Sequence, residues 1–304
     1  MSSPTQTRTL LTAALGIPLL LAAAEVLQTR IDAQARQGQL SETLLLSSPA
    51  AVQKLSLGYD GLLADIYWTR VVQYYGDRIA TPGARFDLLW PLLDITTTLD
   101  PKLVVAYRFG AIFLSEPVPL GAGRPDLAVE LAKRGIAANP DEWRLYADLG
   151  FLYYWRLKDF PDAAATYLKG SKNPKAPPIL KMMAARIAEK GGSIETSRII
   201  WSELHESTKD PAVRARAEQM LRALKAEDDE SHLDEIAADY RKQFGNPPSS
   251  TADLRAAGLL NGIPVDPDGY PYVFGPYGKA RLNPQSKVII PIEPQTAPAT
   301  APSK

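Results

Sequence analysis

Apolar residues return at helical spacing through most of the chain between residues 55 and 245. They recur every three or four positions in runs of about 12 to 18 residues, and Pro and Gly separate one run from the next. This spacing places apolar side chains on one face of an α-helix, and Pro and Gly mark the points where helices end. The pattern therefore predicts an all-α chain built from consecutive helices.

Residues 141–170 contain the clearest pair of such helices. In the first helix, four residues share one face at positions i, i+3, i+4 and i+7: Tyr146, Leu149, Gly150 and Tyr153. After a polar turn, three residues of the second helix share a face at positions i, i+4 and i+7: Ala163, Tyr167 and Gly170. Small residues stand where two helices must approach closely, and large ones form the ridge that fills the contact. The tyrosines are therefore predicted to be packing residues first and binding residues second.

The order of residues in this pair resembles the tetratricopeptide repeat (TPR), although Gly170 stands where that family usually has Ala. A partial match lies upstream, with Phe109, Gly110 and Phe113 in its first helix and Ala128, Ala132, Gly135 and Pro140 in its second. Residues 62–101 and 179–211 look like degenerate units, and each ends in Asp-Pro. The resemblance covers about residues 55–245 and implies a right-handed helical solenoid whose inner helices line a concave groove.

The end of this range, residues 211–244, is more charged, as a capping element of a repeat array should be. It is predicted to form two helices, AVRARAEQMLRALKAE and SHLDEIAADYRKQFG. The acidic run at residues 227–230 is predicted to be the linker between them and to add favourable charge at the N-terminus of the second helix, which His232 opens. An acidic docking patch for a basic partner is the alternative interpretation of this run.

The composition changes after residue 245. A short helix follows, with Ser249, Ser250 or Thr251 as its cap, and then turn residues and a β-hairpin around residues 275–278. The order Asp-Pro-Asp-Gly-Tyr-Pro-Tyr resembles a C-terminal element of exported bacterial proteins, including pseudopilin-like subunits. Asp266 and Asp268 also resemble the start of a calcium loop, but its twelfth position is Tyr277 where a bidentate Glu is needed. An Asx turn is the favoured interpretation.

The N-terminus has the layout of a secretory signal. A polar, basic start is followed by sixteen uncharged residues, TLLTAALGIPLLLAAA. Cleavage before Glu25 is one possibility. The other is an uncleaved anchor of about 18 apolar residues that extends through Leu27, close to the length that spans a bilayer. We favour the anchor, with the C-terminal part exported, which means a periplasmic location in a Gram-negative cell.

These patterns predict five segments. They are a signal anchor or signal peptide at 1–30, a linker or helical lead-in at 31–54, a TPR-like domain at 55–245, a small helix and hairpin module at 246–290, and a disordered tail at 291–304.

Composition excludes several classes of function. Lys and Arg total 34, as do Asp and Glu, so the basic excess of a nucleic-acid-binding domain is missing. The chain has no Cys and two His, which leaves little material for a thiolate site, a catalytic metal or a histidine-based triad. The common catalytic motifs do not occur either. We therefore predict no enzyme activity, no cofactor, no metal and no small-molecule substrate.

The expected function is a membrane-tethered, exported scaffold that binds a protein or peptide partner in an envelope or secretion-type assembly. Five candidate residues for the groove lie on the polar side of inner helices or off the packing face: Arg70, Arg108, Arg144, Tyr154 and Trp155. Solvated arginines on an exposed helix are the plain alternative. An accessory subunit that positions an enzyme, and a purely structural oligomer, are the alternative functions.

Overall fold

The computed structural model describes residues 48–275 and 277–290. The prediction of a mostly helical chain is confirmed, because this part contains eleven α-helices, one π-helix and a single pair of two-residue strands. No helix among the described residues is both long enough and apolar enough to cross a membrane. The predicted signal or anchor, most of the predicted linker and the predicted tail lie outside the described residues.

The described chain divides into two compact units. The first comprises residues 48–106 and 119–122. Its helices are α1 (Pro49–Leu55), α2 (Asp60–Ala80) and α3 (Leu89–Leu99). Four buried residues form its core, with Leu63, Tyr67 and Leu103 packed against them: Val52, Ala64, Ile95 and Leu99.

The second unit comprises residues 107–118 and the described residues from 123 onward. Most of helix α4 (Val104–Ser115) belongs to it. The helices that follow are α5 (Pro125–Ala138), α6 (Trp143–Phe151), a π-helix (Leu152–Leu157), α7 (Phe160–Gly170), α8 (Ile179–Lys190), α9 (Ile194–Ser207), α10 (Pro211–Phe244) and α11 (Thr251–Ala256). Strands β1 (Val273–Phe274) and β2 (Ala280–Arg281) pair in antiparallel orientation, with Val273 opposite Arg281.

Helix boundaries follow the punctuation of the sequence. Helices α5, α7 and α10 each carry a Pro in their first two positions, where the missing N–H costs nothing. The Asp159 side chain accepts from the Asp162 N–H at 3.1 Å, and the Asp210 side chain accepts from the Ala212 N–H at 2.8 Å. These carboxylates satisfy N–H groups that the first turn of a helix leaves unpaired.

Close contacts between small and large residues join successive helices. A Cβ placed on Gly135 would lie 2.7 Å from the Tyr107 ring, and a Cβ on Gly170 would lie 2.6 Å from the Tyr146 Cβ. A Cβ on Gly150 would lie 2.7 Å from the Tyr167 ring. All six residues that the sequence assigned to repeat packing are buried: Tyr146, Leu149, Gly150, Tyr153, Ala163 and Tyr167.

The upstream repeat match assigned the wrong residue of α4 to the packing face. It places Phe109 on that face, but the Phe109 side chain is 47% exposed. Tyr107 is buried instead, and it meets Gly135 as Tyr146 meets Gly170. The error arose because apolar residues occur on every side of the sequence YRFGAIFL, so an aromatic next to Gly110 looked like the packing residue.

The prediction of two helices between residues 211 and 244 is wrong. The structure has one helix of 34 residues, α10, that ends at Gly245 in the left-handed conformation (φ 79°). The chain from Ala212 to Phe244 contains no Pro or Gly to stop it. An i,i+4 ion pair between Lys225 and Asp229 also supports continuity. His232 therefore lies inside this helix and does not open one.

The acidic run lies in the middle of α10 and, with Asp234, holds the C-terminal hairpin. The Asp229 carboxylate accepts from the Tyr272 hydroxyl at 2.9 Å, and the Glu230 carboxylate accepts from the Leu282 N–H at 2.7 Å. Asp234 accepts from the Ala280 N–H at 2.7 Å and from the Lys279 ammonium at 2.7 Å. Below them, Leu233 packs with Leu254, Tyr272 and Ala280. The run is thus neither a linker nor a helix start.

Helix α11 has the cap that its sequence suggested. The Ser250 hydroxyl accepts from the Asp253 N–H, and the Asp253 carboxylate accepts from the Ser250 N–H, which completes a capping box. In the following loop, Asp266 Oδ1 accepts from the N–H groups of Asp268 and Tyr270 at 2.8 and 2.9 Å, as an Asx turn does. Among the described residues, no group of three or more His, Asp or Glu side chains is arranged to hold a metal ion.

Candidate functional site

A cross-helix ion pair marks the contact between α4 and α6. The Arg108 Nε donates to Asp148 Oδ2 at 2.6 Å, and its Nη2 donates to Asp148 Oδ1 at 3.4 Å. The two side chains are 37% and 24% exposed. A two-point contact of this kind fixes the orientation of both groups more firmly than a single contact. Arg108 is therefore a fixed group on this surface and not a freely moving one.

Burial and pairing act on these two groups in opposite directions. The hydrogen bond that Arg108 donates to Asp148 raises the pKa of Arg108. The pKa of Asp148 is raised, mainly by burial, although the hydrogen bond and charge of Arg108 lower it in part. The carboxylate thus lies in a site that water solvates poorly, and Arg108 compensates for part of the lost hydration.

Around this ion pair, four large apolar side chains are about half exposed. We call them the aromatic face; their exposed fractions are 47% for Phe109, 46% for Ile112, 49% for Phe151 and 51% for Trp155. Phe109 and Ile112 are three residues apart on α4, and Phe151 and Trp155 are four apart across α6 and the π-helix. Each pair therefore presents one continuous strip to solvent. Exposed apolar residues grouped in this way mark binding surfaces more often than single ones do.

The π-helix determines how the end of this face is built. Such segments are rare and occur often at functional sites. The Trp155 ring stacks on the Phe151 ring, with centroids 6.3 Å apart and planes 11° apart. The Lys158 ammonium lies 4.6 Å from the Trp155 ring centroid. Arg156, the residue after Trp155, forms an ion pair with Glu116. One short segment thus supplies an aromatic surface, a cation over it and a second cross-helix ion pair.

A cleft of about 220 Å³ lies at the centre of this surface. Arg108 and Ile112 line one side from α4, and Asp148 and Phe151 line the other from α6. Ser115 and Glu116 line its end. Since Ile112 and Phe151 both reach the cleft, the aromatic face continues across the two helices.

The structure separates the candidate residues that the sequence proposed. Arg108 and Trp155 belong to the surface just described. Arg144 is exposed beside it, where its guanidinium pairs with Glu142 at 3.1 Å and lies 4.7 Å from the Trp143 ring centroid. Its charge acts on Asp148, whose pKa it lowers in part.

Tyr154 and Arg70 lie elsewhere. The Tyr154 ring is half buried, 5.8 Å from the Phe160 ring, with the Lys190 ammonium 5.7 Å away, so it faces α7 and α8. Arg70 belongs to the first unit, where its guanidinium lies 5.6 Å from the Tyr67 ring centroid. Each of these two residues has a local packing environment of its own.

Sequence reasoning missed several residues of the site. The sequence patterns did not single out Ile112, Glu116, Asp148 or Phe151. The pairing of Asp148 with Arg108 joins positions 40 residues apart, which no local pattern reveals. The surplus of apolar residues in YRFGAIFL and LGFLYYW was the available signal, because one helix face cannot bury them all.

No protein-family model matches the chain, and no curated protein matches its sequence significantly.

Proposed function

We propose that this chain is a membrane-tethered, exported scaffold with a TPR-like right-handed solenoid, and that it binds a protein or peptide partner in an envelope or secretion-type assembly without performing chemistry. The aromatic face is the proposed binding site. The observation that carries the proposal is the set of four half-exposed apolar side chains bordered by the Arg108–Asp148 and Arg156–Glu116 ion pairs.

Two successive helix pairs support the repeat architecture. Tyr107 on α4 meets Gly135 on α5, and 39 positions later Tyr146 on α6 meets Gly170 on α7. In a repeat array, each unit repeats the contact between its own first and second helices, so a recurring Tyr–Gly contact is expected. The first helices of both units, α4 and α6, also supply the aromatic face. That agrees with a TPR-like array, in which first helices line the concave surface.

The dimensions of the surface favour a peptide over a small ligand. Pockets for drug-sized molecules have volumes of about 300–1,000 Å³ and enclose most of the ligand. The cleft here is smaller, about 220 Å³, and two of its lining residues, Ile112 and Phe151, are about half exposed. It suits an anchoring side chain of a partner, with the neighbouring partner residues lying along Phe109 and Trp155. The ion pairs at its border would set the orientation of such a segment.

A variant-controlled pull-down tests this proposal. Full-length protein would be captured from detergent-solubilised membranes as wild type, as Ile112→Ser/Trp155→Ser, and as Ile199→Ser. Ile199 is a matched control, because it is 52% exposed on α9 and does not line the cleft. We expect a specific partner to be lost from the double variant and kept by the control, with unchanged helical content and melting temperature.

Two results would count against the proposal. Retention of every partner by the double variant would remove the aromatic face as the site. Recovery of further copies of this chain alone, lost from the double variant, would instead favour a structural oligomer. If a co-purified enzyme were the lost partner, the chain would be the accessory subunit that positions it.

A further inference from the structure

A second recess lies on the other side of helix α6. It has a volume of about 290 Å³ and is bounded by α5 and α7. Its floor consists of Tyr146, Leu149 and Tyr153, and its rim carries Lys133 and Lys169. Along an α-helix each residue advances by 100°, so Tyr146 and Leu149 lie on the side of α6 opposite to Asp148 and Phe151. Tyr153, in the π-helix that continues α6, lines the same recess. This lysine recess is therefore separate from the aromatic face.

Each lysine is placed over one tyrosine of the floor. The Lys133 ammonium is 5.8 Å from the Tyr153 ring centroid, and the Lys169 ammonium is 5.8 Å from the Tyr146 ring centroid. Both lysines are exposed, whereas both tyrosines are buried. Contact with a ring face restricts where each ammonium lies, and the outer side of the ammonium still faces solvent. The recess thus presents two positioned cations above an apolar floor.

The charge of the recess favours an anion. Among the described residues that line it, Asp162 is the single carboxylate, against two ammonium groups. The Thr166 hydroxyl adds a donor at the same rim. Asp162 is exposed and its charge acts on Lys133, so it partly offsets one of the two cations. A ligand with negative groups would meet a favourable field at both ends.

The spacing of the two lysines restricts the ligand further. Tyr146 and Tyr153 are seven residues apart, which corresponds to about 10 Å along a helix axis. Each ammonium lies beside one of these rings, so we infer that the two ammonium groups are separated by a similar distance, which one carboxylate cannot bridge. In a polyproline II peptide, residues i and i+3 project to the same side and are about 9 Å apart. Two acidic side chains with three-residue spacing therefore match the two lysines.

We propose that the lysine recess binds an acidic segment of a protein partner in an extended, polyproline II-like conformation. Its two carboxylates, at i and i+3, pair with Lys133 and Lys169, and the residues between them cover Leu149. The site is distinct from the aromatic face and does not depend on it. A chain with both surfaces can hold two segments of partner protein on opposite sides of helix α6.

Fluorescence anisotropy with a defined peptide tests the proposal. The probe is fluorescein-labelled Gly-Glu-Pro-Leu-Glu-Gly, titrated with the full-length protein. One control peptide replaces both Glu by Gln, and a second places the two Glu side by side, which keeps the charge but removes the spacing. We expect the probe to bind more tightly than either control, and its binding to weaken as salt rises, because exposed charge pairs are screened.

Matched variants locate the binding. Lys133→Gln and Lys169→Gln should each weaken the probe about two- to fivefold, as the loss of one exposed ion pair does, and the double variant about tenfold. Asp162→Asn should tighten it about twofold, because it removes the opposing charge. Lys209→Gln, an exposed lysine after α9, and Ile199→Ser should leave the affinity unchanged.

Three results would overturn the proposal. The first is no binding of the probe to the wild type. The second is equal binding of the Gln peptide or of the peptide with adjacent glutamates. The third is a loss with Lys209→Gln as large as that with Lys133→Gln, which would indicate attraction by net charge alone. Far-UV circular dichroism of each variant verifies that the fold is intact.

Discussion

At Gly150 the chain has no room for a methyl group. A Cβ there would lie 2.7 Å from two carbons of the Tyr167 ring, which is itself buried and cannot move outward. Gly76, inside helix α2, has no heavy atom within 4 Å of the same position. Substituting Ala at Gly150 therefore measures the cost of crowding, and substituting Ala at Gly76 measures the helix preference for Ala without crowding.

We expect Gly150→Ala to lower the free energy of unfolding by about 1–3 kcal/mol, the typical cost of overpacking a core. Gly76→Ala should raise it by about 0.5–1 kcal/mol, because Ala is the better helix former. Urea unfolding followed by circular dichroism measures both. Equal changes for the two variants would mean that the Tyr167 contact is not tight.

The Arg108–Asp148 pair predicts unequal effects for its two members. Burial raises the pKa of Asp148, so the folded chain holds a proton on this group more tightly than the unfolded chain does. Ionisation of Asp148 therefore opposes folding as the pH rises through its folded pKa, and Arg108 offsets this opposition. Asp148→Asn removes the charge that resists burial, whereas Arg108→Gln leaves it without its cation.

We expect Asp148→Asn to change the free energy of unfolding by less than about 1 kcal/mol, and Arg108→Gln to lower it by about 1–3 kcal/mol. The Arg108→Gln protein should also gain stability as the pH falls from neutral towards the ordinary pKa of Asp, since protonation relieves the unpaired carboxylate. Thermal unfolding as a function of pH tests this. If Arg108→Gln/Asp148→Asn were no more stable than Arg108→Gln, the explanation would fail.

Among the elements, helix α10 and the hairpin depend on each other most directly. The two strands are two residues long and would not be stable alone. Carboxylates of α10 supply acceptors for two hairpin N–H groups and a hydroxyl, and Leu233 adds an apolar contact beneath them. An acidic helix surface here replaces the neighbouring strand that a hairpin usually needs.

We expect Asp234→Ala to speed amide hydrogen exchange at Ala280 by about ten- to a hundredfold, because a charge-assisted hydrogen bond contributes about 1.5–3 kcal/mol when it is intact. Glu235→Ala is the control, because Glu235 follows Asp234 in the same helix and its side chain is exposed. Exchange at Leu282, whose N–H donates to Glu230, should rise less. Unchanged exchange at Ala280 would show that the apolar contacts alone hold the hairpin.

The elements also show what the sequence could and could not predict. Periodicity identified the helices that begin or end at Pro or Gly, such as α5 and α7, because those signals are local. Periodicity wrongly divided α10 into two helices. The acidic run at residues 227–230 resembles a linker in the sequence, because the hairpin that it binds is visible only in the structure. The register of α4 failed because Phe109 and Tyr107 are both aromatic, and only the position of Gly135 in space distinguishes them.

The site was predicted less completely than the fold. Arg108 and Trp155 were proposed as groove residues because they depart from the packing face, and both side chains are partly exposed. Their role in partner binding stays a prediction. Asp148 and Glu116 pair with partners on other helices, and such pairs depend on how helices align. The π-helix after Phe151 has no local sequence signal, so the stacking of Trp155 on Phe151 could not be foreseen.

At the scale of the whole molecule, the N-terminal prediction decides where these surfaces operate. If residues 1–30 act as an uncleaved anchor, the full-length chain should stay with membranes after alkaline carbonate extraction, and a chain that starts at residue 31 should not. The exported part should be digested by protease added to spheroplasts. Release of a mature chain that begins at Glu25 would instead indicate a cleaved signal peptide.

The unbroken length of α10 has a mechanical consequence. Thirty-four residues correspond to a rod of about 51 Å. The rod packs on α9 and buries Met220 and Leu224 in its first half, and its second half carries the hairpin on Leu233. Because α10 contains no break, we expect a force applied at the hairpin to act on α9 through this helix. A Gly-Gly insertion near residue 227 should uncouple the two ends, because Gly is a poor helix former.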